Sequence, residues 1–184
     1  MNAVFTIIAK NYLGLAGVLE RSVRRSSDCD FFIFIADEWE GAGQLPSHVL
    51  IARQQVAISE ALWEKMAFQY NLVEFCTAIK PACFQFLFDK KQYSKVIYAD
   101  PDVYFFGSVN DVFAQLDNAS ILLTPHLLRL QPSLKKDYPD HLFLLNGTFN
   151  LGFLGLKSGE TTSKFLPWWH NRLLDQCYFC LLYT

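Results

Sequence analysis

Apolar positions along this chain fall into short continuous runs alternating with longer stretches of helical spacing. "AVFTIIAK" at residues 3–10 is apolar, β-branched and aromatic, the pattern of a strand buried on both faces. In "YLGLAGVLERSVRRS", Leu13, Ala16, Leu19 and Val23 recur at helical spacing, and Asn11 stands where it could cap that helix. "CDFFIFIADE" is a second buried strand, with Asp37 where it should end. This β-α-β opening predicts an α/β fold with an open, mainly parallel sheet.

Further on, "EGAGQLPSH" reads as a loop, and Ser59 caps a helix over "SEALWEKMAFQY". "NLVEFCTAIKPACFQFLFDK" predicts a mostly buried helix that Pro81 kinks or splits in two. A strand over 95–99 follows, then an aspartate turn and a second short strand over 103–106 whose aromatics belong to the core. "NDVFAQL" predicts a short helix, "SILLTPHL" a strand, 129–141 a polar surface loop, and "NGTFNLGFLGLKSG" a turn and a strand. From Glu160 onward the chain reads as helix, with Pro167 early.

Composition narrows the picture. A chain of 184 residues, 52% apolar and 18% charged, is a foldable single domain, and 17 Phe predict a large interior. The net charge of −2, with both signs interspersed, gives no basic stripe for nucleic acid. No apolar run reaches the roughly 20 residues of a membrane span, and "AVFTIIA" has no basic leader or cleavage site, so no signal peptide is expected. The five cysteines, at 29, 76, 83, 177 and 180, are expected to be reduced thiols. Cys177 and Cys180 form a lone CxxC without the further ligands a zinc site needs. His126 and His141 read as ordinary loop histidines. "NYLGLAG" is no GxGxxG, which argues against a nicotinamide cofactor.

The chemistry concentrates in "KVIYADPDVYFFGSV", residues 95–109, where Asp100 and Asp102 interrupt an apolar region. Ionised carboxylates beside a core are costly unless something positive meets them. In extended chain, positions i and i+2 project to one side, so both carboxylates can converge on one ligand at the carboxyl end of a strand. Hard oxygen donors suit Mg²⁺ or Mn²⁺ bridging to phosphates. A surface β-turn is the plainer reading of Asp-Pro-Asp, though it does not call for "KVIY" and "VYFF" on its flanks.

This segment resembles the Asp-x-Asp segment of bacterial-type nucleotide-sugar glycosyltransferases of the GT-A fold. The resemblance extends, in order, through "FTIIAKNYLGLAGVLERSV", "FFIFIADE", "YNLVEFCTAIKPACFQFLF", "LTPHL" and "NGTFNLGFLGLK", over about residues 4 to 175. It implies a GT-A-like sheet with a Rossmann-like nucleotide-binding half. It also implies Mn²⁺ or Mg²⁺ on Asp102 and Asp100, and a nucleotide-diphosphate sugar, foremost a UDP-sugar, as donor. Ala9, Lys10, Asn11 and Tyr12 would line the nucleotide pocket, and Asp37 would meet base or ribose. Lys80 would approach the phosphates or the sugar, and Asn150 a sugar hydroxyl. Each has a plainer reading: Lys10 solvated at a strand end, Asp37 a cap, Lys80 reaching to water, Asn150 holding a turn.

By the same resemblance the acceptor would be a saccharide or lipid-linked saccharide, and the setting cytoplasmic, at the inner face of a membrane. Two departures stand out. Ala99 replaces a larger apolar residue, and the chain stops at "CYFCLLYT", before the acceptor-facing region and its further metal ligand. The expectation is therefore a single domain over 1–184, truncated at its C-terminus, with an apolar end open to self-association. The alternative is a non-catalytic remnant that binds nucleotide weakly or serves as an interaction domain.

Overall fold

The computed structural model describes residues 1–41, 43–128 and 147–177. Six strands form one sheet: β1 (Asn2–Ile8), β2 (Asp30–Ile35), β3 (Val49–Ile51), β4 (Lys95–Ala99), β5 (Ile121–Pro125) and β6 (Phe149–Lys157), in the order β3-β2-β1-β4-β6-β5. β1 pairs in parallel with both β2 and β4, and β2 with β3, while β6 runs antiparallel between β4 and β5. The fold is thus α/β with a mainly parallel sheet, as the β-α-β opening predicts.

Strand side chains alternate between two cores, as the pleat requires. Ala3, Phe5, Ile7, Phe34, Val96 and Tyr98 point to one face. The helices α3 (Glu60–Gln69), α4 (Leu72–Ala78), α5 (Lys80–Asp89) and α7 (Glu160–Leu173) cover it with Trp63, Phe75, Phe84, Leu87 and Leu166. Val4, Ile8, Phe31, Ile33, Ile35 and Ile97 point to the other, under α1 (Leu13–Arg24) and α6 (Asn110–Gln115). A one-turn helix, α2 (Ala52–Gln55), follows β3. Burial on both faces explains why these strands read as unbroken apolar runs.

Several boundaries are set by contacts that the local pattern does not carry. Asn11 is no cap: it lies in a 3-10 turn, Lys10–Tyr12, and α1 starts without a side-chain cap. That turn is held by Tyr12 N–H on the Ala9 carbonyl at 2.9 Å and by Lys10 N–H on Asp37 Oδ1 at 2.8 Å. Pro81 splits rather than kinks: α4 ends at Ala78, and Pro81 sits in the first turn of α5, where its missing N–H costs nothing. Ser59 caps α3 by accepting from Leu62 N–H.

The strand expected over 103–106 does not form. Val103 N–H turns back to the Asp100 carbonyl at 3.0 Å, and Phe105 N–H donates to Ser22 Oγ on α1 at 3.2 Å, so the chain leaves the sheet. Tyr104 and Phe106 are exposed instead of core, while Val103 and Phe105 pack against the α1 side. The terminal helix ends at Leu173, and residues 175–177 are not helical. The loop over 129–141 lies outside the described residues, as do His141, Cys180 and the tail 178–184.

No helix among the described residues is long and apolar enough to cross a membrane.

Candidate functional site

The sheet order creates a switch point. From β1 the chain moves outward through β2 and β3, then returns to place β4 on the other side of β1. The crevice beyond the carboxyl ends of β1 and β4 is where open α/β sheets bind ligands. A cavity of about 350 Å³ opens there. Ile7, Ile8, Ala9 and Tyr12 contribute from β1 and its turn, Tyr98, Asp100 and Asp102 from β4 and its turn, and Asn150 to Gly152 from β6. Leu15 of α1, with Leu72, Val73, Cys76 and Thr77 of α4, supplies a largely apolar wall.

Lys80 is the cavity's charged floor. Its residue is only 4% exposed where it lines the cavity. Nζ donates to the Leu151 carbonyl at 3.2 Å, lies 4.2 Å over the Tyr98 ring, and stands 3.8 Å from Asp100 Oδ1. Burial lowers the Lys80 pKa, and the charge of Asp100 opposes that shift. Tyr98 is fully buried and donates its hydroxyl to Asp100 Oδ1. Burial first, and then Asp100, push its phenol well above the usual range, so it stays protonated as the donor. Cys76 beside them is pushed up to about 12 by burial, with Lys80 opposing.

The second oxygen of Asp100 is placed differently. Asp100 N–H donates to the Gly152 carbonyl at 2.8 Å, and Gly152 N–H donates to Asn150 Oδ1 at 2.7 Å. A Cβ on Gly152 would lie 2.8 Å from Asp100 Oδ2 and 2.8 Å from Asn150 Oδ1. Only glycine leaves this approach open. Asp102 is exposed, and its carboxylate has no hydrogen-bond or ion-pair partner among the described residues.

Asp100, Asp102, Asn150 and Gly152 also line a second cavity of about 290 Å³ with Val103, Thr124 and Phe153. The two carboxylates therefore stand on a ridge between two cavities.

Of the residues singled out in the sequence, Ala9, Tyr12, Lys80, Asp100, Asp102 and Asn150 meet at the first cavity. Lys10 turns away, with Nζ on the Glu38 carbonyl at 3.3 Å, and Asn11 is exposed beside it. Asp37 grips the Lys10 amide and lines a third cavity, with Glu38, Arg53, Trp63, Tyr70 and Phe75. His126 Nδ1 is 3.2 Å from the Gly147 carbonyl, an ordinary loop contact. Cys177 is buried, with Sγ 3.3 Å from the Glu74 carbonyl.

The sequence assigned no role to Tyr98, Cys76 or, within the Asn-x-Gly of residues 150–152, Gly152. Tyr98 stands two residues before Asp100 in a strand, which was enough to place both side chains on one face. Gly152 closes the Asn-x-Gly of β6, where a strand glycine marks a close approach. Cys76 carried no local signal.

No cluster of three or more His, Cys, Asp or Glu side chains that could hold a metal ion occurs among the described residues. Two carboxylates offering Asp100 Oδ2 and the unpartnered Asp102 oxygens still fit Mg²⁺ or Mn²⁺, which take one or two carboxylates and complete their shell with phosphate and water.

No family model matches the chain. In sequence it is similar to the uncharacterized protein YfnF of Bacillus subtilis (strain 168), 27% identical over 180 residues, covering 96% of this chain and 59% of that protein. The chain thus spans about three-fifths of that relative's length. Among solved structures it is similar to the galactosyltransferase LgtC in complex with donor and acceptor sugar analogues, with a TM-score of 0.54 at 16% identity over 95% of this chain and 66% of that one. Mouse xyloside xylosyltransferase 1 gives 0.52 at 14%, covering 100% and 80%. The mannosyltransferase Ktr4p of S. cerevisiae gives 0.52 at 8%, covering 95% and 61%. The chain has the GT-A fold. At these identities the likeness establishes the GT-A sheet and its flanking helices.

Proposed function

We propose that this chain is a glycosyltransferase that takes a sugar from a nucleotide-diphosphate donor, with Mn²⁺ or Mg²⁺ held by Asp100 and Asp102. The carrying observation is the carboxylate ridge at the switch point, with Asp102 unpartnered at the cavity mouth. A bound divalent ion would supply Lewis-acid stabilisation of the departing diphosphate. The buried Lys80 adds its amino group beside it, with Nζ 3.8 Å from Asp100 Oδ1. Tyr12, Leu15, Leu72 and Val73 offer an apolar wall to a flat base, and the Lys10–Asp37 contact holds the turn that carries Tyr12. Asn150 has an amide NH₂ for a sugar hydroxyl, since its Oδ1 is engaged by Gly152.

The likeness to galactosyl-, xylosyl- and mannosyltransferases supports this reading. UDP-sugar is the first donor to try, with a saccharide or lipid-linked acceptor in bacterial-type surface polysaccharide assembly on the cytoplasmic side of a membrane. Residues 1–184 are proposed to act as one donor-binding unit.

The test is to incubate the protein with Mn²⁺ and a panel of UDP- and GDP-sugars, and to follow nucleoside diphosphate release by chromatography. Metal-dependent release from one donor, abolished in Asp102→Ala, is expected. A folded protein that releases diphosphate from none of them, with and without simple saccharides, contradicts the proposal.

A further inference from the structure

The fold treats the two oxygens of Asp100 differently. Oδ1 accepts the Tyr98 hydroxyl and faces Lys80 Nζ at 3.8 Å, inside the protein. Oδ2 faces the bare Gly152 backbone at the ridge. Tyr98 cannot follow a moving carboxylate. Its ring is 1% exposed, packs against Phe5 with centroids 5.3 Å apart, and lies under Lys80. Lys80 is itself tied to the Leu151 carbonyl at 3.2 Å, one residue before the glycine that binds the Asp100 amide. Backbone and one side-chain oxygen of Asp100 are thus both anchored.

We propose that Tyr98 is a positioning residue: its hydroxyl fixes Oδ1 of Asp100 within the fold so that Asp100 presents Oδ2 alone to a divalent cation shared with Asp102. This rests on the metal-dependent reading above. A carboxylate free to turn about its terminal torsion offers either oxygen, or both together. With Oδ1 held, Asp100 is a one-oxygen ligand of fixed direction. That suits a small cation needing near-octahedral geometry, because positions remain for Asp102 and for diphosphate oxygens. Among the described residues the Tyr98 hydroxyl has no partner besides Asp100. Partners that orient a metal ligand from behind commonly matter about 10- to 100-fold in metal affinity.

The experiment is Mn²⁺ titration of the folded chain, by electron paramagnetic resonance of the free ion, in the native protein, Tyr98→Phe and Tyr93→Phe. Tyr93 is a matched control, because its hydroxyl donates to Asp30 Oδ2 at 2.6 Å at the opposite end of the sheet. Tyr98→Phe should weaken Mn²⁺ binding about tenfold or more, while Tyr93→Phe leaves it unchanged. Circular dichroism of all three should match, which separates lost metal affinity from lost fold. A folded Tyr98→Phe within about twofold of the native Mn²⁺ affinity overturns the positioning role and leaves the metal site standing. Native protein without Mn²⁺ affinity overturns the metal reading and this role with it.

Should Tyr98→Phe fail to fold, proton NMR of the native chain decides. Buried on Asp100, the Tyr98 hydroxyl proton should give a slowly exchanging signal that persists when Mg²⁺ saturates the site, and its loss on Mg²⁺ binding overturns the proposal.

Discussion

The Gly152 carbonyl accepts the Asp100 amide at 2.8 Å, and the missing Cβ of Gly152 would lie 2.8 Å from Asp100 Oδ2. One residue on β6 thus fixes the backbone of the aspartate and leaves space beside its carboxylate. The Gly152 backbone is not among the left-handed glycines, so alanine fits its torsions and meets only its neighbours.

Gly152→Ala should therefore act on the ridge more than on the fold. Pushing aside Asp100 Oδ2 and Asn150 Oδ1 is a small-to-large change, costing about 1–3 kcal/mol of stability. Mn²⁺-dependent UDP binding should fall in the same variant while its circular dichroism stays native. Unchanged metal-dependent binding would show that the close approach plays no part in the site.

Asp102→Ala should leave stability within about ±0.5 kcal/mol, as expected for an exposed side chain without partners. Chemical denaturation checks this. A larger loss would mean that Asp102 holds the turn itself.

Asn71 starts α4 with a capping box: its Oδ1 accepts from Val73 and Glu74 N–H at 3.0 Å each, and Glu74 accepts from Asn71 N–H at 3.0 Å. This cap presents Leu72 and Val73 to the cavity. Asn71→Ala should cost about 1 kcal/mol in thermal or urea unfolding. Nucleotide affinity should weaken with it, and by far less in Ser59→Ala, whose cap serves α3.

Alkaline pH should unfold the chain earlier than its net charge alone suggests. Burial pushes the thiols of Cys76 and Cys177 up to about 12 and that of Cys29 up to about 11, from 9.0. The folded state then keeps protons that the unfolded state releases. This contribution is complete below pH 9 and is lost as pH rises toward 11 and 12. Cys83 and Tyr98, which burial also pushes well up, act in the same sense, while Lys80, whose pKa burial lowers, acts in the opposite one. The melting temperature should hold from pH 7 to 8.5 and drop from 9 to 11.

Sheet and site were not equally legible in the sequence. Strands buried on both faces announce themselves as apolar runs, so β1, β2 and β4 were plain, and the Asp-Pro-Asp turn gave the position of the carboxylates. The turn's geometry was not plain. Val103 to Phe106 has strand composition, yet Ser22 and the 100–103 turn draw it off the sheet, and those are tertiary contacts. Asn11 failed as a cap for the same reason, because Asp37, 26 residues on, holds the turn. Lys80 was visible as a candidate. Its full burial was not, since that depends on Leu151 of β6 and on Tyr98 and Asp100 at the end of β4 closing around it from two distant parts of the chain.

The most direct measurement is calorimetry of UDP and GDP with the native chain, with and without Mn²⁺, beside Asp102→Ala. Binding that requires Mn²⁺ and vanishes in Asp102→Ala is the expected result. A folded native chain that binds neither nucleotide under either condition would contradict a donor site at the carboxylate ridge.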